Sequence, residues 1–221
     1  MTGNSMISRE ERYNKVIEWF EKEHPVAETE LIYKDPFQLA VAVILSAQCT
    51  DKRVNIVTKE LFAKYPTPEA MASAQRDDIL RLISSVTYPN SKCRYISEMS
   101  RTLVKEYSSV MPVETEELMK LPGIGRKSAN VIASVIYNKP VIAVDTHVFR
   151  VSRRLGLSEG KDPLAVERDL TANIPWDKRV IAHHWLILHG RYICIARKPK
   201  CPECGLRDYC LHYYFLNLQQ K

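Results

Sequence analysis

The chain is predicted to be all-α. Three observations carry that reading. Apolar residues recur at helical spacing in almost every segment, cap residues and prolines stand where helices should begin, and strand signals are nearly absent. The one β-like run, Val141-Ile142-Ala143-Val144, is too short to found a sheet.

Taken in order, Ser8 with Glu11 makes a capping box, and Tyr13, Val16, Ile17 and Phe20 then fall at helical spacing. Asp35-Pro36 places a cap before a proline at the first helical position and opens the apolar run from Phe37 to Ala47. Thr67-Pro68 and Asp162-Pro163 repeat that signal. Further helices are expected over 51–64, 75–85, 91–107, 115–120, 126–137, 146–155, 163–173 and 177–188. Within 126–137, the stretch from Ala129 to Ile136 is apolar nearly all round, which predicts a central, buried helix that would hold its first turn rigidly.

A chain of 221 residues can bury a good core as one large domain or two small ones, and a boundary is expected near Asn138-Lys139-Pro140. The composition, 45% hydrophobic and 26% charged, is that of an ordinary globular protein and argues against disorder. No apolar run reaches 18 residues and no charged-then-apolar leader is present, so neither a membrane span nor a secretory signal is expected, and the protein is read as cytosolic. The net charge of +6 is moderate and by itself names no partner. Its location says more: Arg126 and Lys127 follow a glycine turn, and Arg191, Arg197, Lys198 and Lys200 crowd a cysteine cluster.

The stretch from Leu121 to Asp145 reads LPGIGRKSANVIASVIYNKPVIAVD. Gly123 and Gly125 can take backbone angles closed to other residues and leave their amides bare of side chain. A helix starting just after them would aim its first N–H donors and positive dipole end at a phosphate. Lys127 would sit in the first turn of that helix, where the dipole opposes a positive charge and helps to free an amine nucleophile. Asp145 lies eighteen residues beyond Lys127. It directly precedes a predicted helix at Thr146, so it would also make a good N-cap.

Four of the six cysteines lie within seventeen residues, Cys194, Cys201, Cys204 and Cys210, spaced C-x6-C-x2-C-x5-C. In a cytosolic protein such clustering argues for a metal centre rather than disulfides. The spacing leaves tetrahedral zinc and a four-iron cluster both open. Cys49 and Cys93 stand apart and are read as packing residues, while His147, His183, His184 and His189 are read as packing or phosphate contacts.

Together these signals resemble the endonuclease III family of the helix–hairpin–helix superfamily, which comprises DNA glycosylases and abasic-site lyases of base excision repair. The resemblance rests on Leu45-Ser46-Ala47-Gln48, the Leu121–Gly125 hairpin with Arg126-Lys127, Val144-Asp145-Thr146-His147, the run from His184 to Gly190 and the four-cysteine tail. It implies two all-α lobes: a six-helix barrel over 29–139, and a discontinuous lobe of 1–28 and 140–221 that carries a [4Fe–4S] cluster. It implies Lys127 as Schiff-base nucleophile, Asp145 as catalytic carboxylate and the four clustered cysteines as iron ligands. Gln48 would fill the gap left by an extruded nucleotide. Leu121, Gly123, Gly125 and Arg126 would hold a DNA phosphate, with Lys198 and Lys200 as further backbone contacts. The implied partner is double-stranded DNA containing damaged pyrimidines or abasic sites, acted on by a monomer in the bacterial cytoplasm, nucleoid-associated when on DNA.

Residues 86–92 depart from the pattern, reading VTYPNSK where the family commonly has a glycine-aromatic-asparagine type of loop, so the residue that wedges the duplex is not assigned by resemblance. Two other readings stand beside this one. A monofunctional glycosylase for mismatched adenine or thymine would usually carry serine or tyrosine in place of Lys127. A non-catalytic iron–sulfur DNA-binding protein would need neither Lys127 nor Asp145.

Overall fold

The computed structural model describes residues 7–219. Its α-helices are α1 (Arg9–Glu23), α2 (Pro36–Ser46), α3 (Asp51–Lys64), α4 (Pro68–Ser73), α5 (Arg76–Leu82), α6 (Pro89–Glu106), α7 (Thr115–Leu118), α8 (Arg126–Tyr137), α9 (Thr146–Leu155), α10 (Pro163–Asn173), α11 (Arg179–Tyr192) and α12 (Leu211–Gln219). Short 3-10 turns at Trp176–Lys178, Cys201–Glu203 and Arg207–Tyr209 complete the order. No strand forms among the described residues, and 141–144 takes up no regular secondary structure. None of the helices is long and apolar enough to cross a membrane.

The start signals work as the sequence predicts. Ser8, Asp35, Thr50, Thr67, Asp145 and Asp162 each accept an amide of the first turn, and Pro36, Pro68 and Pro163 occupy the opening helical positions. Several bounds differ from the sequence reading, and the helices expected over 75–85 and 115–120 end early, at Leu82 and Leu118. The helix expected over 91–107 opens two residues earlier, at Pro89. The helix expected from residue 177 opens instead with a 3-10 turn, then runs as α11 to Tyr192. Helix α12 was not anticipated, because Cys210 before it is no cap-type residue; packing against α9 holds it.

The chain forms two compact units, Thr29–Lys139 and Met1–Glu28 with Pro140–Lys221. In the first, every residue of α2 from Phe37 to Leu45 is buried, and α3, α6 and α8 pack around it. Such a helix, apolar on all sides, has to be the centre of its unit. Helix α8 is buried along one face and half-buried elsewhere, so α2 rather than α8 takes the central place. Helices α4 and α5 lie on α6, and α7 on α8. Leu39, Leu61, Ile79, Ile96, Met99, Leu118 and Ile132 are shut off from solvent. Each stabilises by roughly 1.5–3 kcal/mol before chain entropy is set against it. Cys93 belongs to this core, whereas Cys49 is half-buried.

The second unit gathers Tyr13, Val16 and Phe20 of α1, Val148, Val151 and Leu155 of α9, Trp185 and Leu186 of α11, and Leu206 of the cysteine segment into one core. Phe20 and Trp185 stack with centroids 5.4 Å apart. Trp185 Nε1 donates to His24 O at 2.7 Å, and Tyr13 Oη to Leu157 O at 2.8 Å, so both large polar aromatics are satisfied.

Candidate active site and iron–sulfur segment

The hairpin between α7 and α8 is built on its own backbone: Leu121 N donates to Leu118 O, and Ile124 N to Leu121 O, each at 3.1 Å. Gly123 turns the chain with φ +83, and a Cβ there would stand 2.7 Å from Tyr95 Cβ, so conformation and space both require glycine. Gly125 differs from the sequence reading, with an ordinary φ of −91. Nothing lies within 4 Å of where its Cβ would be. What Gly125 supplies is open space at the N-cap of α8, a helix end that no side chain caps.

Leu121, expected among the phosphate contacts, is 2% exposed, and its N–H and C=O both bond within the hairpin. It shapes the turn. Arg126 and Lys127 are exposed in the first turn of α8, and Lys127 has no side-chain partner among the described residues.

Asp145 is the N-cap of α9: Oδ1 accepts from His147 N and Val148 N, both at 2.8 Å. Both bonds fall on one oxygen, and Oδ2 takes no part in the cap. The half-buried carboxylate is thereby fixed in orientation and keeps one oxygen for another partner.

The four clustered cysteines are free thiols that line one cavity with Leu155, His189, Ile193 and Tyr213. Burial pushes the Cys204 thiol up to about 11, and it raises Cys201 and Cys210 as well, with the neighbouring sulfurs adding to each. Thiols so placed ionise only for a cationic ligand. Among the described residues, no three His, Cys, Asp or Glu side chains converge as ligands of a single ion. Four soft thiolate donors around one cavity suit a thiophilic metal centre, zinc or iron–sulfur alike.

Comparison with known proteins decides between the remaining readings. The HhH-GPD superfamily of base excision DNA repair proteins matches over residues 41–175, and the iron–sulfur binding domain of endonuclease III over 194–210. Endonuclease III of Rickettsia conorii is 48% identical, covering 92% of this chain and 97% of that protein. Endonuclease III of Bacillus subtilis is 46% identical, covering 84% and 85%. The chain belongs to the endonuclease III family.

As a member of the endonuclease III family it is a base-excision-repair DNA glycosylase and AP lyase, and its cofactor is a [4Fe–4S] cluster. A trapped covalent endonuclease III–DNA intermediate superposes with a TM-score of 0.90 at 41% identity, covering 96% of this chain and 100% of that one.

Three arginines that sequence reasoning did not single out brace the iron–sulfur segment of this endonuclease III family member. Arg150 Nε donates to Cys194 O at 3.0 Å and Nη2 to Gly190 O at 2.7 Å. Arg154 donates to Ile195 O and Ala196 O at 2.8 and 2.9 Å, with Nη1 3.6 Å from Cys194 Sγ. Arg12, almost wholly buried, reaches Tyr209 O and Gly156 O. Nothing in their local sequence marks these arginines, since the carbonyls they hold in the cysteine segment lie about forty or more positions away. Lys198 and Lys200 stand exposed on the loop so pinned, and Lys198 takes the left-handed conformation. His189, pushed down to about 4 by burial and by His24, lies with Nε2 3.6 Å from Cys204 Sγ. His183 and His184 are buried, as the packing reading expects.

Proposed function

We propose that the substrates are oxidised pyrimidines and abasic sites in duplex DNA, and that Lys127 is the amine that forms the Schiff base. The observation that carries this reading is the placement of Lys127. An exposed, unpartnered lysine follows two residues after Gly125, at a helix end left uncapped and open. A phosphate received by that end would bring its own deoxyribose toward the amine.

A base inside a duplex cannot be attacked at its sugar carbon, so the nucleotide must first be rotated out of the stack; a damaged pyrimidine stacks poorly and leaves at lower cost. The neutral Lys127 amine then attacks C1′, the C1′–N bond breaks, and the base departs with the electron pair and a proton. The ring opens to an imine between Nζ and C1′, which acidifies the C2′ proton. Loss of that proton expels the 3′ phosphate by β-elimination and cuts the strand on the 3′ side.

Asp145 is assigned the carboxylate role through Oδ2. It takes up a proton or faces positive charge developing on the sugar, while Oδ1 remains in the cap. Gln48 is assigned to the gap left by the extruded nucleotide. Gly123, Gly125 and Arg126 form the phosphate seat, and Lys198 and Lys200 hold the backbone near the cluster. Cys194, Cys201, Cys204 and Cys210 are the ligands of the cluster, which when bound ties residues 194–210 into one cross-linked piece. The acting species is read as a monomer, because every group invoked belongs to one chain. It works where its substrate is, at the bacterial nucleoid.

Borohydride trapping on a duplex carrying one thymine glycol tests the reading, with Lys127→Ala alongside. An adduct that requires both the lesion and Lys127 is the expected result. Base release with an intact strand and no adduct would remove the Schiff base.

A further inference from the structure

Among the exposed residues of the Thr29–Lys139 unit with the positive φ that residues with side chains rarely adopt, Gln48 and Tyr88, each with φ 53, stand on two turns that are bonded to one another. Tyr88 also precedes Pro89, a position where the chain is normally extended. Its ring is 62% exposed. Conformations of this kind persist only where the surroundings over-determine them.

Here the surroundings are three hydrogen bonds that stitch one turn to the other. Thr87 Oγ1 donates to Gln48 O at 2.5 Å. Lys92 Nζ donates to Leu45 O at 2.8 Å and to Ala47 O at 2.7 Å. Lys92 lies in the first turn of α6, yet it is only 4% exposed. Its ammonium faces the C-terminal end of α2, where carbonyls lack intrahelical partners and the helix dipole is negative. Burial holds the ammonium below the ordinary lysine range, opposed only by the nearby Cys49. A buried charge held by neutral carbonyls, with no carboxylate partner among the described residues, is costly. Helix α2 has no basic residue of its own in its last turn, so the cation at this end comes from α6.

We propose that Lys92 is a positioning residue for duplex opening: its ammonium locks the Gln48 turn to the Tyr88 turn, so that the glutamine side chain and the tyrosine ring meet the DNA as one rigid pair. This rests on the proposed oxidised-pyrimidine substrate and on the placing of Gln48 at the nucleotide gap. Holding a stack open requires side chains that do not yield when neighbouring bases press back. An aromatic ring can stack on a base, and a glutamine amide offers both a donor and an acceptor to a base left without its partner. Prongs ordered before binding lose no conformational freedom when they enter. Only a long side chain with several donors can bridge carbonyls at Leu45 and Ala47 from α6; methionine would fill the space and release both.

The test compares excision of thymine glycol from a fully paired duplex with excision from a bubble whose bases are already unpaired, using the cluster-loaded, full-length protein. Lys92→Met is expected to lower the duplex-to-bubble ratio roughly tenfold or more, as misplacement of a supporting group does. Thr87→Val, at an exposed position where the fold is not at risk, should lower the same ratio by a smaller factor. It should do so without changing the melting temperature. Lys92→Arg, which keeps charge and donors, should recover much of the ratio. If Lys92→Met slowed both substrates alike, the lysine would be merely structural and the proposal overturned; an unchanged ratio in both variants would overturn it as well. A wild-type protein inactive on either substrate would overturn the oxidised-pyrimidine reading and this proposal with it.

Discussion

Gly205 lies directly beneath the indole of Trp19: a Cβ at residue 205 would stand 2.5 Å from Trp19 Nε1 and 2.6 Å from Cε2. Gly205 directly follows Cys204, and Trp19 belongs to α1, so a helix near the start of the chain sets how closely the cysteine segment can approach the core.

Gly205→Ala is therefore expected to push the segment off Trp19 and reduce cluster retention. The added methyl meets an aromatic ring packed against Phe20 and His189, which has little room to move. Visible absorbance per mole of purified protein, followed through incubation with a chelator, reads the effect. Retention equal to that of the unmodified chain would show that the contact can relax.

Asp145 separates its two roles by substitution. Asparagine keeps an oxygen for the amides of His147 and Val148, so Asp145→Asn should leave the melting temperature nearly unchanged while excision collapses. Alanine removes the cap too and should cost about 1 kcal/mol of stability besides. Thermal melting beside single-turnover excision would distinguish them; full activity in Asp145→Asn would confine this residue to capping.

The two hairpin glycines should fail differently. Gly123→Ala combines a left-handed φ with overlap against Tyr95 and should lower stability by roughly 2 kcal/mol or more. Gly125→Ala meets no neighbour and should cost about 1 kcal/mol at most through a poorer cap. Its methyl would stand over the open helix end, so its loss should appear in affinity for an abasic-site analogue duplex. Equal affinity of Gly125→Ala and the parent would argue against a phosphate there.

Acid should destabilise the fold through His184. Burial lowers it from the ordinary 6.5 to about 4. The unfolded chain therefore binds a proton more readily between those values, and stability present above pH 6.5 is lost as pH falls toward 4. The loss approaches about 3 kcal/mol for this one side chain. Urea unfolding at pH 7 and pH 5 should show the decline, and His184→Asn should reduce it by about half, the rest coming from His189, which burial lowers alike. A pH-independent midpoint would mean that the imidazole is hydrated in the native state.

Much of this architecture was legible in the sequence because its signals are local. Asp35-Pro36, Thr67-Pro68 and Asp162-Pro163 mark helix starts through contacts spanning three or four residues, and helices over 51–64, 126–137, 146–155 and 163–173 run as the periodicity predicts. The N-cap role of Asp145 and the grouping of the four cysteines are also matters of short spacing. Lys92 was invisible for the opposite reason. Its carbonyl partners lie 45 and 47 positions away, and by sequence alone it is one more polar residue at a helix start. Helix α12 escaped because it has no cap signal and depends on α9 for its place.

The sequence by itself determined where this chain is helical, which cysteines act together, and which lysine and aspartate stand at the heads of helices. Each depends on hydrogen bonds and side-chain spacings within a turn or two. Tertiary structure alone decided that Gly125 offers space rather than an unusual backbone angle, that Trp19 limits the cysteine segment at Gly205, and that a buried ammonium joins the turns at Gln48 and Tyr88. Those outcomes follow from close packing and from the need to satisfy buried polar groups, and both act between residues that only the folded chain brings together.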